Sequence, residues 1–176
     1  MSNAALADLH RWSEEVARDP ASPAFLPLAR AYRRQGRRDA AVRLCLRALE
    51  RQPEHVEGHA LLALLYLEAG DRQRACDEWA VVLTLDPDHF EAHRGMGYAA
   101  LERGDLTAAS RHLEKAAASR PDDPAVQGAL RLLHERLAAA DATVVDQGGA
   151  APVRDASSVF EPLLGDSSFL GALVLE

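Results

Sequence analysis

Three prolines, Pro53, Pro87 and Pro121, stand 34 residues apart, and three glycines, Gly36, Gly70 and Gly104, keep the same interval. A period of this length sets more limits on the fold than any single motif. Each copy is one supersecondary unit that cannot bury its apolar face alone, so consecutive copies have to stack. Aligned on these landmarks, the units are Ser22–His55, Val56–His89 and Phe90–Asp123. Tyr32 then falls with Tyr66 and Ala100, Ala41 with Ala75 and Ala109, and Cys45 with Trp79 and Leu113. Ala48, Val82 and Ala116 share a further column.

Each unit reads as two helices. The first starts two residues into the unit and stops before the glycine, which can take the left-handed conformation that ends a helix. The second begins near Asp39, Arg72 or Leu106 and ends before the proline, because the residue preceding proline resists the α conformation. Asp71 and Asp105 directly follow a glycine and suit the N-cap of a second helix. Small residues at Ala29, Ala63 and Gly97 are expected to face Ala41, Ala75 and Ala109, bringing the two helices of a unit close together.

This pattern resembles the tetratricopeptide-repeat family, whose motif places W, L, G, Y, G, A, F, A and P at set offsets. The first unit fills it with Phe25, Leu28, Ala29, Tyr32, Gly36, Ala41, Cys45, Ala48 and Pro53. The second uses His59, Leu62, Ala63, Tyr66, Gly70, Ala75, Trp79, Val82 and Pro87. The third uses His93, Met96, Gly97, Ala100, Gly104, Ala109, Leu113, Ala116 and Pro121. The resemblance implies an all-α fold: a right-handed α-solenoid of three repeats, with an N-terminal packing helix within 1–20 and a capping helix over 124–140. Leu9, Trp12 and Val16 form the apolar stripe of the first. The second starts like a fourth unit with Leu130 and Leu133 facing in, but carries Arg131 in the small-residue column. A linker (141–158) and an apolar tail (159–176) complete the chain.

Composition excludes several classes. The longest apolar run, Ala60–Leu67, is far shorter than the roughly 20 residues of a membrane span, and no membrane insertion is expected. Met1–Trp12 lacks an apolar stretch behind a basic start, so no secretory signal is expected. Two cysteines form neither a disulfide framework nor a CxxC pair, which makes a reduced, cytoplasmic setting the expectation. A net charge of −7 argues against nucleic acid as a partner. The cluster Arg30, Arg33, Arg34, Arg37 and Arg38 is a local exception, and suits either a solvated helix end or an acidic partner surface.

Function is sought on the face opposite the core columns of each first helix. In the second unit that face holds Glu57, Ala60, Leu64, Leu67 and Glu68, so the helix is apolar nearly all round and something must cover it. The first unit offers Leu26, Arg30 and Arg33, and the third Arg94, Tyr98 and Leu101. In the family resembled, these faces line a concave groove for a peptide. The candidate partner-binding residues are therefore Leu26, Arg30, Arg33, Leu64, Leu67, Arg94, Tyr98 and Leu101. An apolar floor with arginine walls suits a protein partner presenting an amphipathic helix or extended segment with acidic flanks, or the chain's own tail. Some family members clamp a terminal carboxylate with Lys, Asn and Arg; no Asn stands at the matching positions here.

No catalytic constellation is present, and no cofactor is expected. His55/His59 and His89/His93 have a four-residue spacing compatible with metal binding, but they repeat at the 34-residue period and neither HVEGH nor HFEAH is the HExxH motif. A duplicated structural column accounts for both pairs, and no metal is expected. Cys45 and Cys76 fall at core columns. The segment FLGALVLE at the end resembles the first strand of a roadblock-type domain. Besides an adaptor or scaffold, the sequence therefore admits a secretion-system chaperone, or the sensor part of a bacterial switch protein with a truncated roadblock-type domain.

Overall fold

The glycine and proline punctuation produces the helices it predicts. The computed structural model describes residues 3–145, in which every regular element is an α-helix. In order these are α1 (Asn3–Arg18), α2 (Phe25–Arg34), α3 (Arg38–Leu49), α4 (Val56–Glu68), α5 (Arg72–Leu85), α6 (Phe90–Arg103), α7 (Leu106–Ser119) and α8 (Pro124–Val145). Helices α2–α3, α4–α5 and α6–α7 are the three repeat pairs of an α-solenoid. The capping helix runs to Val145, five residues into the stretch expected as linker. The remainder of that linker and the whole tail, including the roadblock-like segment, lie outside the described residues.

Each first helix ends in the same way. Gly36, Gly70 and Gly104 have φ of 72°, 80° and 74°, the region glycine enters without steric cost. The reversal lets Arg37 N donate to Tyr32 O, Asp71 N to Tyr66 O and Asp105 N to Ala100 O, each at 2.9 Å, so orphan carbonyls at the helix end are satisfied. Asp71 and Asp105 then cap α5 and α7, accepting from Arg74 N at 3.0 Å and Ala108 N at 2.9 Å. Asp123 caps α8 through Val126 N at 2.9 Å, with Pro124 at the first helical position, where a missing N–H costs nothing. Two further caps lie outside the pattern. His55 Nδ1 accepts from Gly58 N at 3.2 Å and His89 Nδ1 from Ala92 N at 3.3 Å. These rings let α4 and α6 start on the first residue of their units, two residues earlier than the pattern predicts.

The chain divides into two compact units after Ala92. In the first, α1 packs on α2, α2 on α3 and α4, α3 on α4, and α4 on α5. Its core is built on Phe25, Cys45, Leu62, Leu65 and Val82, all fully buried. Ala29, Ala41, Ala63 and Ala75 have no exposed surface, as expected of close helix crossings. In the second unit, Tyr98, Ala100 and Leu101 of α6, Ala109 and Leu113 of α7, and Ala129 and Leu133 of α8 form one apolar cluster. Gly97 lies so near α7 that a Cβ there would stand 2.7 Å from Leu113 Cγ. The crossing requires glycine.

Candidate partner-binding face

In the first unit, α2 and α4 lie against each other. Leu26, Arg33 and Leu67 are half-buried, and Arg30 is exposed. Glu68 organises this face. Arg33 Nε and Nη2 both stand 2.6 Å from Glu68 Oε1, and Arg38 Nη1 donates to Glu68 O at 2.6 Å. Two arginines from the first repeat thus hold the last turn of α4, where unpaired carbonyls and the helix dipole favour cations. Arg37 lies over the Tyr32 ring at 4.4 Å, and Arg74 over Tyr66 at 4.5 Å. The predicted arginine cluster is therefore partly structural: Arg33, Arg37 and Arg38 have partners within the unit. Leu64 is buried, as are its neighbours from Leu61 to Tyr66. The nearly all-apolar α4 is covered, as its sequence required, so Leu64 is not an open contact.

The second unit departs further from an open groove wall. Tyr98 and Leu101 belong to the buried cluster with α7 and α8. Tyr98 Oη donates to Ala125 O at 2.7 Å, and Arg136 Nη1 donates to Leu101 O at 2.8 Å. Burial, partly offset by Arg94, pushes the Tyr98 phenol up to about 12. Arg94 is buried as well, with Nη1 3.6 Å from Asp123 Oδ2. The physical reason is α8: it comes directly after the third repeat, as a fourth first helix would, and covers the face of α6. Of the eight residues expected to meet a partner, Leu26, Arg30, Arg33 and Leu67 retain access to solvent. Leu64, Arg94, Tyr98 and Leu101 are internal in this conformation. The inward Leu130 and Leu133 signalled that α8 packs against the repeats, but not which face it covers.

The repeated histidines have structural work. His59 Nδ1 stands 2.6 Å from Glu78 Oε2, and its Nε2 is 2.9 Å from Pro53 O. The equivalent His93 faces His112, with their Nδ1 atoms 3.0 Å apart. His55 also meets Phe25 edge-on at 5.1 Å. Among the described residues, no three His, Cys, Asp or Glu side chains converge as a metal site. Cys45 is buried, and burial followed by the charge of Glu78 pushes its thiol up to about 12. At that value it behaves as an apolar filler rather than a nucleophile. No helix among the described residues is long and apolar enough to cross a membrane.

Family models described as tetratricopeptide repeat match residues 24–57 and 66–133, together more than half of the chain. The chain belongs to the tetratricopeptide-repeat family. No curated protein sequence matches it significantly. Solved tetratricopeptide-repeat structures share its fold. MamA superposes with a TM-score of 0.66 at 16% identity, over 96% of this chain and 85% of MamA. The first tetratricopeptide-repeat domain of Spaghetti (RPAP3), bound to the HSP90 peptide SRMEEVD, gives 0.60 at 18% identity, over 65% of this chain and 90% of that one. A tetratricopeptide-repeat protein from Parabacteroides merdae gives 0.65 at 18% identity, over 91% and 59%. At these identities the likeness concerns the fold.

Proposed function

We propose that this tetratricopeptide-repeat chain is a non-catalytic adaptor that takes a segment of a partner protein on the α2–α4 face of its first unit. One observation carries the reading: on that face Leu26, Arg30 and Leu67 keep access to solvent on a framework fixed by Arg33, Arg38 and Glu68. An apolar strip edged by a cation fits an amphipathic segment with acidic flanks. The fold supports the reading by kind, since a peptide occupies the related RPAP3 domain. The cytoplasmic setting belongs to the same proposal and rests on the low cysteine count. A photo-crosslinker placed at Arg30 and, separately, at the exposed Arg111 tests it. Capture of an acidic-flanked amphipathic peptide at position 30 but not at 111, lost on Leu26→Glu, is the expected result. Equal capture at both positions would reject this face.

A further inference from the structure

We infer that His93 and His112 form an acid-sensitive latch between α6 and α7, closed while at least one ring is neutral and released when both are protonated. Their Nδ1 atoms are 3.0 Å apart and the ring centroids 5.2 Å, tilted by 43°. That separation is a hydrogen bond, so one Nδ1 carries the hydrogen and the other offers its lone pair. A neutral imidazole has one donor and one acceptor nitrogen, whereas an imidazolium has only donors. Protonating both rings therefore replaces an attraction by two opposed N–H groups and two facing cations.

The surroundings oppose the second proton. Arg111 and Lys115 flank His112 along α7 and act on it electrostatically. Next to His93 on α6 stands Arg94, whose guanidinium already faces Asp123 of the α8 cap at 3.6 Å. His93 is 5% exposed, so it cannot take its charge to water without moving α6. Burial, then His93, Arg111 and Lys115, hold His112 below the usual histidine range. The preceding repeat has the same column and the same 19-residue separation, but there His59 faces Glu78 at 2.6 Å. Acid strengthens a histidine–carboxylate pair over the range in which it breaks a histidine–histidine pair. His112 adjoins Leu113 in the cluster that also holds α8, so release loosens the second unit as a whole.

The test compares the intact chain with His112→Glu, which copies the Glu78 arrangement, by amide hydrogen exchange at pH 7.5 and 5.5. After correction for intrinsic rates, wild-type α6–α7 amides should lose protection relative to α4–α5 by up to about tenfold, because pH 5.5 lies about one unit below the ordinary histidine value. In His112→Glu that differential loss should vanish. The variant matters because the His89 ring also caps α6 through Nδ1, a contact that the substitution leaves in place. If wild-type α6–α7 and α4–α5 respond equally, or if His112→Glu keeps the loss, the latch is overturned. Should the variant not fold, the imidazole ¹⁵N spectrum of the wild-type chain decides. One protonated and one bare Nδ1 at pH 7.5, both protonated at pH 5.5 as exchange rises, sustain the latch. Independent titration of the two rings at constant protection overturns it.

Discussion

The α2 face and the α6 face occupy the same repeat positions and have opposite fates. One column holds Arg30, Leu64 and Tyr98, and a second Arg33, Leu67 and Leu101, each member 34 residues after the last. Arg30 is exposed, while Leu64 and Tyr98 are buried; Arg33 and Leu67 are half-buried, while Leu101 is fully buried. In α6 the cover is α8, whose Ala129 and Leu133 meet Tyr98 and Leu101. Repeat position alone therefore does not define a binding surface. In α6 a following helix takes that position as an internal neighbour, whereas Arg30 of α2 stays open to solvent. In the first of these columns the residue types agree, with arginine at the exposed position and leucine or tyrosine at the buried ones.

The widest separation between the faces should appear on truncation. Leu101→Ala removes a fully buried side chain and should cost about 2–5 kcal/mol in urea unfolding. Arg30→Ala, on the open face, should stay within about 0.5 kcal/mol of wild type. Equal losses would mean that the α2 face is covered too, and would remove the basis for a partner there. Leu64→Glu belongs with Leu101, because a carboxylate would enter a buried position without a partner.

The helix crossings sharpen the same contrast at smaller scale. At Gly97 a new Cβ meets Leu113 at Cγ (2.7 Å) and Cδ2 (2.8 Å), and the Leu113 backbone N at 3.3 Å. The branch point of a fully buried leucine cannot swing aside. Gly97→Ala should lose about 1–3 kcal/mol to overpacking, reduced by the roughly 1 kcal/mol helix-propensity gain of alanine. Gly58 has its nearest neighbours at Leu49 Cδ2 (2.9 Å) and Phe25 Cζ (3.2 Å). The closest of these is the end of a flexible side chain, so Gly58→Ala should be close to neutral. A larger loss at Gly58 than at Gly97 would reverse the assignment of the tighter crossing.

Most of the fold is legible in the sequence because its signals are local. Glycine and proline fix the helix ends, and Asp71 and Asp105 cap the helices the period outlines. The nearly all-apolar α4 announces its own burial. The candidate face is less legible, because accessibility depends on a neighbour rather than on a column. The pattern turns Leu130 and Leu133 inward, yet nothing local says that the surface they cover is the outer face of α6. The histidines show a similar limit: the 34-residue repeat marks His55, His59, His89 and His93 as structural. Their caps and the His112 contact become visible only once the helices are placed.

The second helices carry a milder contrast. Asp105 caps α7 through the Ala108 N–H alone among the contacts described, and Asp105→Ala should cost about 1 kcal/mol. That loss should appear as a lower urea midpoint with an unchanged slope. A change in slope instead would indicate that the cap sets the compactness of the ensemble rather than the stability of α7.

The smallest effect concerns Asp71, whose cap on α5 is doubled. Its Oδ1 accepts from Arg74 N at 3.0 Å, and its Oδ2 from Arg74 Nε at 2.5 Å. The Arg74 backbone N–H first, and then its guanidinium, hold the Asp71 carboxyl below its ordinary value of 3.8. A depressed carboxylate stays ionised in the folded chain at a pH where the unfolded chain has already taken up its proton. Its stabilisation is therefore complete above about pH 4 to 5 and fades as pH falls through the lower folded value. Solvent surrounds the pair, so screening keeps the contribution small. Asparagine is an equally good cap, and Asp71→Asn keeps the backbone acceptor while removing the titrating charge. At pH 7 the variant should unfold at nearly the wild-type urea concentration. Toward pH 2 the wild-type chain should lose slightly more of its midpoint than the variant does. Parallel curves over that range would show that the Arg74 contact adds nothing beyond the neutral cap. The distinction between the singly capped α7 and the doubly capped α5 would then be one of geometry without energetic weight.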